Sequence, residues 1–368
     1  MPINTLYQLY AHSRQQPGEL EHARRLLLIP DVLHSWLSGA QVSERTNATT
    51  TQFWDPVAGA WASDLLERLG IPTAPLPEVV EPGTPLGPAL PELPELRGDL
   101  GDTLVIAPAT HDTGSAIAAA PAGHAPGWAY ISSGTWSLVG AEVAHPILTP
   151  EALAASWTNE GGVFGTTRFL KNVMGLRLLQ ERQRTWAREL RPQDYGALLA
   201  EVEREPPLAA LIDPDDQRFL APAHMPGAIN DYLRERGQPS LETPAAFTRC
   251  ILESLVLRYC QVVRQLERLT GIVLTRIHIV GGGSRNERLN QWLADALGVT
   301  VVAGSAEATA LGNALMQLAG LGELRMLAEL RDIARATPTR LYEPNAGAQA
   351  PWREAAQRFA ALTAVGVQ

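Results

Sequence analysis

The order of chain segments over residues 275–303 constrains the fold more than any other feature of this sequence. The segment Thr275-Arg-Ile-His-Ile-Val280 is followed by three glycines, a helical pattern over about 285–297 and a predicted strand at 300–303. A strand, a helix and a strand in this order form a βαβ unit, so the two strands are expected to be parallel. The sequence therefore predicts an α/β fold.

The spacing of apolar residues predicts the other elements. The longest expected helix spans 243–271, with Thr243 as its N-cap and Gly271 at its C-terminal end. Two runs of strand-forming residues predict a hairpin that turns at Gly134. Helices are also expected at 19–37, interrupted at Pro30, at 61–69 and at 169–190, and strands at 103–107, 128–132 and 137–143.

The length of 368 residues favours two domains. The segment 72–94 contains eight prolines, cannot be helical, and is expected to cross the surface as extended chain. The segment 121–127, with two prolines and two glycines, is predicted to be a linker. The predicted domains are therefore 1–122 and 123–368.

Charge and composition exclude several classes of partner. The formal net charge is −9, the pI is near 5.5 and no basic cluster is present, which excludes an electrostatic nucleic-acid binder. No apolar run approaches the ~20 residues that span a bilayer, and no secretory signal is recognised, so a cytoplasmic protein without membrane contact is predicted. Cys250 and Cys260 lie on one predicted helix, about 15 Å apart, and are too distant for a disulfide.

Asp112 is the first candidate for chemistry. It lies in the segment Thr110-His-Asp-Thr-Gly-Ser115, shortly after the apolar run 103–107. At the end of a buried strand, we expect its carboxylate to be exposed and rigidly supported. Three interpretations are open: a general base that accepts a hydroxyl proton, a turn residue that caps the next helix, and one half of an aspartic protease dyad. The protease needs two carboxylates that share a proton, and the sequence contains a single Asp-Thr-Gly.

Two glycine-containing turns are candidates for phosphate binding. Ser132-Ser-Gly-Thr-Trp-Ser-Leu138 offers backbone N–H groups and hydroxyls to an anion. The glycines at 281–283 precede a helix whose N-terminus favours an anion, and Asn286 could contact an adenine or a ribose. A plain strand-to-helix turn also explains these glycines, because their spacing matches neither a Walker A loop nor G-x-G-x-x-G.

Lys171 is the only lysine in the sequence. Such a position could require a compact ammonium group, although chance explains it equally well. On the predicted helix 169–190, Lys171, Asn172 and Gln180 interrupt an apolar stripe, as a solvated helix face would also do. His111 is interpreted as either a pocket donor or a satisfied turn residue. No group of His, Cys and carboxylate residues has the spacing of a metal site, so no metal ligand is predicted.

Seven blocks of the sequence are Asn4-Thr-Leu-Tyr-Gln8, Thr46-Asn-Ala-Thr-Thr-Thr-Gln52, His111-Asp-Thr113, Ser132-Ser-Gly-Thr-Trp-Ser137, Thr158-Asn-Glu-Gly-Gly162, Lys171-Asn-Val-Met-Gly175 and Ile279-Val-Gly-Gly-Gly283. In this order they resemble the FGGY family of carbohydrate kinases, and the resemblance extends to about Gly320. The resemblance implies an actin-like pair of RNase H-like domains that bind a sugar and ATP between them. It further implies phosphorylation of the C1 hydroxyl of L-rhamnulose by ATP with Mg²⁺.

The resemblance also implies roles for single residues. The expected partners are a sugar and ATP, and the protein is expected to be a monomer or a weak homo-oligomer. Asp112 matches the general base. Asn172 matches a substrate or cleft position. The positions that match sugar contacts are His111, Asp112, Thr113 and Asn172. The positions that match nucleotide contacts are Thr135, Gln180 and Gly282.

The resemblance begins part-way through the family's first domain, and the family's opening strands and Asp-x-Gly phosphate loop have no counterpart here. We therefore expect 1–122 to be the sugar-binding C-terminal part of the N-terminal domain, with an unpaired sheet edge. Residues 123–368 are expected to be the nucleotide-binding C-terminal domain. Met1 is either internal to a longer protein or the start of a genuine fragment. A non-catalytic nucleotide- or sugar-binding module and a kinase for another ketose, such as L-fuculose, are the alternatives.

Overall fold

The structure, a computed structural model, describes residues 3–90, 103–123, 126–188 and 195–364. Its strands are β1 Ser43–Glu44, β2 Trp54–Asp55, β3 Ala60–Trp61, β4 Val79–Val80, β5 Thr84–Pro88, β6 Leu104–Ala107, β7 Trp128–Ser133, β8 Trp136–Val143, β9 Thr158–Gly161, β10 Thr167–Met174, β11 Arg276–Val280, β12 Thr300–Ala303 and β13 Arg340–Tyr342.

Its helices are α1 Thr5–Gln15, α2 Pro17–His22, α3 Ile29–Ser38, α4 Arg45–Ala48, α5 Ser63–Arg68, α6 Asp112–Ala118, α7 Pro150–Ala154, α8 Arg177–Arg188, α9 Tyr195–Val202, α10 Met225–Glu235, α11 Pro244–Thr270, α12 Glu287–Leu297, α13 Ala308–Gly320, α14 Leu327–Arg335 and α15 Gln349–Ala364. Two 3₁₀ turns cover Gln217–Phe219 and Gly282–Arg285.

The chain divides into two units, each made of three segments. The second predicted domain, 123–368, contributes segments to both units, and the predicted division into 1–122 and 123–368 stays a prediction. Unit 1 consists of Met1–His124, Glu142–Leu170 and Glu307–Thr337. Unit 2 consists of Ala125–Ala141, Lys171–Ala306 and Pro338–Gln368.

Unit 2 contains the predicted βαβ unit. β11 pairs in parallel with β12, in the register Arg276↔Thr300, and α12 connects the two strands. On its other side β11 pairs in parallel with β7, which forms the predicted antiparallel hairpin with β8. The strand order β13-β12-β11-β7-β8 therefore places the end of β7 beside the glycine turn that follows β11.

The long helix of unit 2, α11, begins and ends where the sequence predicts. Thr243 Oγ1 accepts a hydrogen bond from Ala246 N at 3.0 Å, and Gly271 closes the helix with a φ of 71°, which favours glycine. Cys250 and Cys260 are free thiols, and burial raises the pKa of Cys260 to about 12. No helix among the described residues is both long and apolar enough to cross a bilayer.

Unit 1 is built from small pieces of sheet and short helices. Its described strand pairs are the parallel pair β1–β4 and the antiparallel pairs β2–β3, β5–β6 and β9 with the first half of β10. Helix α6 packs closely on α13, and Thr113 to Ala118 of α6 are all buried. Between residues 72 and 90 the structure contains no helix, as the prolines predict.

The predicted helix over 169–190 is wrong in its first part. Residues 167–174 form strand β10, and the helix α8 begins only at Arg177. β10 pairs with β9, with Phe169 opposite Asn159, and the Phe169 ring stacks on Trp157 at 4.7 Å. Residues 167–170 pair with the upstream strand β9, and the apolar residues Phe169, Leu170, Val173 and Met174 are buried in the strand. Lys171 and Asn172 are therefore strand residues.

Candidate active site

Asp112 is the first residue of α6, and its carboxylate is 80% exposed. Oδ1 accepts hydrogen bonds from Thr113 N at 2.5 Å and from Thr113 Oγ1 at 3.2 Å. In the preceding strand β6, Leu104 at the start is exposed and Ala107 at the end is fully buried. The carboxylate thus has the exposed position that the sequence predicts, and it also bonds to the first turn of α6.

The segment that leads into Asp112 is held by a buried carboxylate that the sequence did not indicate. Glu44 accepts four hydrogen bonds, from Thr46 N at 2.7 Å, Thr46 Oγ1 at 2.5 Å, Thr110 N at 2.9 Å and Thr110 Oγ1 at 2.7 Å. Thr46 Oγ1 in turn accepts from His111 N at 3.1 Å. Burial raises the pKa of Glu44, against these donors, which lower it. Because Thr110 lies 66 positions from Glu44, no spacing pattern reveals this contact.

His111 contacts two further residues that the sequence did not indicate. Its Nδ1 lies 2.9 Å from Arg168 Nη2 and 3.6 Å from Glu160 Oε2. Its Nε2 lies 3.8 Å from Asp112 Oδ1. Burial, and next the positive charge of Arg168, lower the pKa of His111, while Glu160 and Asp112 act in the opposite direction.

The remaining predicted sugar contacts differ in their setting. Thr113 is buried, and its side chain is directed to Asp112, so in this structure it supports the carboxylate. Asn172 is half-buried on the part of β10 that belongs to unit 2, next to Lys171. Burial is the largest cause of a lowered pKa for Lys171, with Arg258 adding to it and Asp215 opposing it.

Two of the predicted nucleotide contacts meet in unit 2. Thr135 Oγ1, at the tip of the β7–β8 hairpin, donates to Gln180 Oε1 in the first turn of α8 at 3.3 Å. Both residues are exposed. Below the tip, a Cβ on Gly175 would lie 2.7 Å from Gly134 O, so this glycine permits the close approach of the two segments.

The third predicted nucleotide contact lies in the glycine turn after β11. A Cβ on Gly283 would lie 2.1 Å from Ser133 Oγ, and Gly281 has a φ of 81°. Packing therefore requires a glycine at position 283, and the backbone conformation favours a glycine at position 281. Gly282 differs, because it is exposed and a Cβ on it would meet nothing within 4 Å. It is the position in the turn that a ligand can approach.

Two polar groups near these turns have partners within the protein. The N–H of Gly134 donates to Trp136 O at 2.9 Å, so this group is occupied inside the hairpin. The Asn286 side chain is buried and serves as the N-cap of α12, where Oδ1 accepts from Leu289 N at 3.0 Å. Asn286 is thus explained by helix capping.

Carboxylates do not gather into a metal site in the part of the chain that the structure describes. There, no group of three or more His, Cys, Asp or Glu residues could hold a metal ion. Mg²⁺ does not need such a cage when it accompanies a nucleotide, because phosphate oxygens and water fill most of its coordination sphere.

Comparison with known sequences gives a consistent result. The N-terminal domain of the FGGY family of carbohydrate kinases matches residues 1–118, and the C-terminal domain of that family matches residues 129–321. A rhamnulokinase of Pectobacterium carotovorum is 44% identical over 99% of this chain and 71% of its own length. A rhamnulokinase of Bacteroides thetaiotaomicron is 41% identical over 94% of this chain and 70% of its own length.

Solved structures show the same fold. A ligand-bound xylulose kinase of Lactobacillus acidophilus superimposes with a TM-score of 0.77 at 17% identity, covering all of this chain and 73% of that one. A glycerol kinase of Plasmodium falciparum with ADP gives a TM-score of 0.75 at 14% identity, covering 98% of this chain and 72% of that one. These matches confirm the predicted α/β, actin-like sugar kinase fold.

Proposed function

We propose that this chain, which belongs to the FGGY family of carbohydrate kinases, transfers the γ-phosphoryl group of ATP to the C1 hydroxyl of L-rhamnulose. The identity of 44% with a rhamnulokinase, over 99% of this chain, carries the proposal. The exposed carboxylate of Asp112 and the open glycine turn at Gly282 supply the two kinds of group that such a transfer needs.

In this proposal Asp112 is the general base. The contacts of its carboxylate within the described residues all fall on Oδ1, which leaves Oδ2 to accept the proton of the C1 hydroxyl. As the proton leaves, the hydroxyl oxygen attacks the γ-phosphorus and the bond to ADP breaks. His111 and Asn172 are proposed to bind the other hydroxyls of the sugar, and Thr113 to hold Asp112 in place.

Thr135, Gln180 and Gly282 are proposed to bind ATP. Mg²⁺ is the proposed metal ion, and when bound with ATP it neutralises charge on the phosphates. The hydrogen bond between Thr135 and Gln180 supports the pairing of these two residues in one site, because it orients both side chains at the hairpin tip. Gly282 supports a close approach of the nucleotide to the backbone, because no atom of the described residues lies within 4 Å of the place its Cβ would take.

A pair of glycine variants separates nucleotide binding from folding. Gly282→Ala adds a methyl group to open space, so we expect an unchanged melting temperature and about tenfold weaker ADP binding, or roughly 1.4 kcal/mol. Gly283→Ala places the same methyl group against Ser133, so we expect it to destabilise the protein by about 1–3 kcal/mol. Calorimetric titration with ADP and thermal unfolding measure both quantities. Wild-type ADP affinity in Gly282→Ala would remove Gly282 from the site.

The reaction itself is tested by ADP release with a panel of ketoses, followed by NMR of the phosphorylated product. We expect the highest kcat/KM for L-rhamnulose and a product phosphorylated at O1. Preference for L-fuculose would reject the proposed sugar. ADP binding without ketose-dependent ADP release would instead show a non-catalytic binding module.

We further propose a cytoplasmic monomer or weak homo-oligomer. The acidic net charge of −9 supports a protein that does not bind nucleic acid, and both cysteines are free thiols. Light scattering during gel filtration over a range of protein concentrations tests the oligomeric state. A stable tetramer would contradict the proposal.

A further inference from the structure

In unit 1 the buried side chains of Glu160 and Arg168 lie against His111, which is half-buried beside Asp112. We propose that Arg168 is a positioning residue: by donating to His111 Nδ1 it fixes the imidazole as the Nε2–H tautomer, which presents a hydrogen-bond donor to a sugar oxygen beside Asp112. This inference deepens the proposed function and rests on it for the identity of the ligand.

The tautomer follows from the donor at Nδ1. A guanidinium group has five N–H donors and no acceptor, and it stays charged in proteins. Because Arg168 Nη2 lies 2.9 Å from Nδ1, that nitrogen must be the acceptor. A neutral imidazole carries its one proton on the other nitrogen, so the proton of His111 is on Nε2.

Arg168 has little freedom to move. Its side chain is 1% exposed, its Nε donates to Gly161 O at 2.9 Å, and its Nη2 lies 3.1 Å from Glu160 Oε2. Glu160 and Arg168 face each other directly in the β9–β10 ladder. A buried guanidinium without a partner would cost several kcal/mol, so Glu160 supplies the charge that lets Arg168 remain in place.

The geometry on the other side of the ring keeps Nε2–H available. At 3.8 Å from Asp112 Oδ1, Nε2 is beyond hydrogen-bond distance of this carboxylate. A ligand oxygen can therefore accept from His111 while the Asp112 carboxylate takes a proton from a neighbouring hydroxyl. A neutral imidazole also suits a general base, because an imidazolium beside Asp112 would lower the basicity of the carboxylate.

Long-range ¹H–¹⁵N NMR reports the tautomer directly and does not depend on enzymatic activity. The protein is labelled with ¹⁵N in its eight histidines. His111→Gln assigns the signals by their loss. We expect a neutral Nε2–H ring in the wild type. In Arg168→Met we expect a mixture of tautomers and a raised pKa, because the positive neighbour is removed while Glu160 and Asp112 remain. An Nδ1–H ring or an imidazolium in the wild type at pH 7 would overturn the inference.

Kinetics provide the second measurement. We expect Arg168→Met to lower kcat/KM for the ketose by roughly 10- to 100-fold through misplacement of His111, with an unchanged KM for ATP. The matched control is Arg331→Met, since Arg331 is also a buried arginine of unit 1 paired with a buried glutamate, Glu142. We expect this control to leave the His111 signals and the KM for the ketose unchanged.

If Arg168→Met does not fold, a second variant tests the inference. Glu160→Gln combined with Arg168→Met removes both charges of the pair, so no unpaired buried charge remains. We expect the double variant to fold and to show the mixed tautomer. If its ring stays wholly Nε2–H and its kinetics match the wild type, Arg168 does not position His111. If the wild-type protein does not turn over a ketose but shows the expected NMR result, the proposed function is rejected and the inference about Arg168 stands.

Discussion

Replacing Asp112 by Asn is expected to lower kcat for ketose phosphorylation by about 10²–10⁴-fold, the range that a positioned general base contributes. An amide of the same shape keeps an oxygen for the hydrogen bonds from Thr113 N and Oγ1, so α6 should be retained. It cannot accept the proton of the C1 hydroxyl at neutral pH. Binding of ADP should stay as in the wild type, because the proposed nucleotide contacts lie in unit 2.

The matched control is Asp64→Asn. Asp64 is also an exposed aspartate in the first turn of a short helix of unit 1, α5. The same chemical change there should leave kcat, KM and the melting temperature unaltered. Initial rates of ADP release, calorimetry with ADP and thermal unfolding are measured for both variants. Wild-type turnover by Asp112→Asn would exclude this residue as the base and favour its interpretation as a helix cap.

Fold elements whose causes are local could be predicted from the sequence. The βαβ unit at β11–α12–β12 follows from two short strand-forming segments separated by a glycine turn and a helical pattern. The bounds of α11 follow from Thr243, which caps it, and from Gly271, which ends it. These features depend on residues within a few positions of one another, so one sequence is enough to locate them.

Elements that depend on distant partners could not be predicted in the same way. The strand β10 contains Phe169, Leu170, Val173 and Met174, which suit a helical stripe as well as a strand buried on both faces. Its pairing with β9 decides between the two. Interpretation of residues 158–174 as a β-hairpin would have located the strand. Gly161 and Gly162 mark a turn region between two segments that contain polar and aromatic residues.

The candidate site shows the same division. The exposure of Asp112 could be predicted from a short apolar run that ends in a polar turn. Glu44 and Arg168 could not, because Glu44 bonds to Thr110, 66 positions away, and Arg168 bonds to His111, 57 positions away. Neither distance corresponds to a motif. Roles given by family resemblance, such as that of Gln180, gain physical support only where the structure adds a contact, here the hydrogen bond to Thr135.

Gly312→Ala is expected to destabilise unit 1 although it adds only one methyl group. Gly312 lies within α13, where an alanine would improve helix propensity by up to about 1 kcal/mol. The new Cβ, however, would lie 1.8 Å from Ser115 O and 2.5 Å from Ser115 C, in the backbone of α6. Backbone atoms cannot rotate away as a flexible side chain can, so α6 and α13 must separate. We expect a net loss of about 1–3 kcal/mol in the free energy of unfolding.

The sign of this change distinguishes packing from helix propensity. The matched control, Gly18→Ala, places the same methyl group on an exposed glycine of α2 with nothing within 4 Å. It should stabilise the protein by about 0.4–1 kcal/mol, because only chain entropy and propensity change. Urea unfolding of both variants measures the difference. Because α6 begins with Asp112, Gly312→Ala should also reduce ketose turnover in the protein that remains folded. A stability gain in both variants would mean that α6 and α13 are not in close contact in solution, and the placement of Asp112 would lose its support.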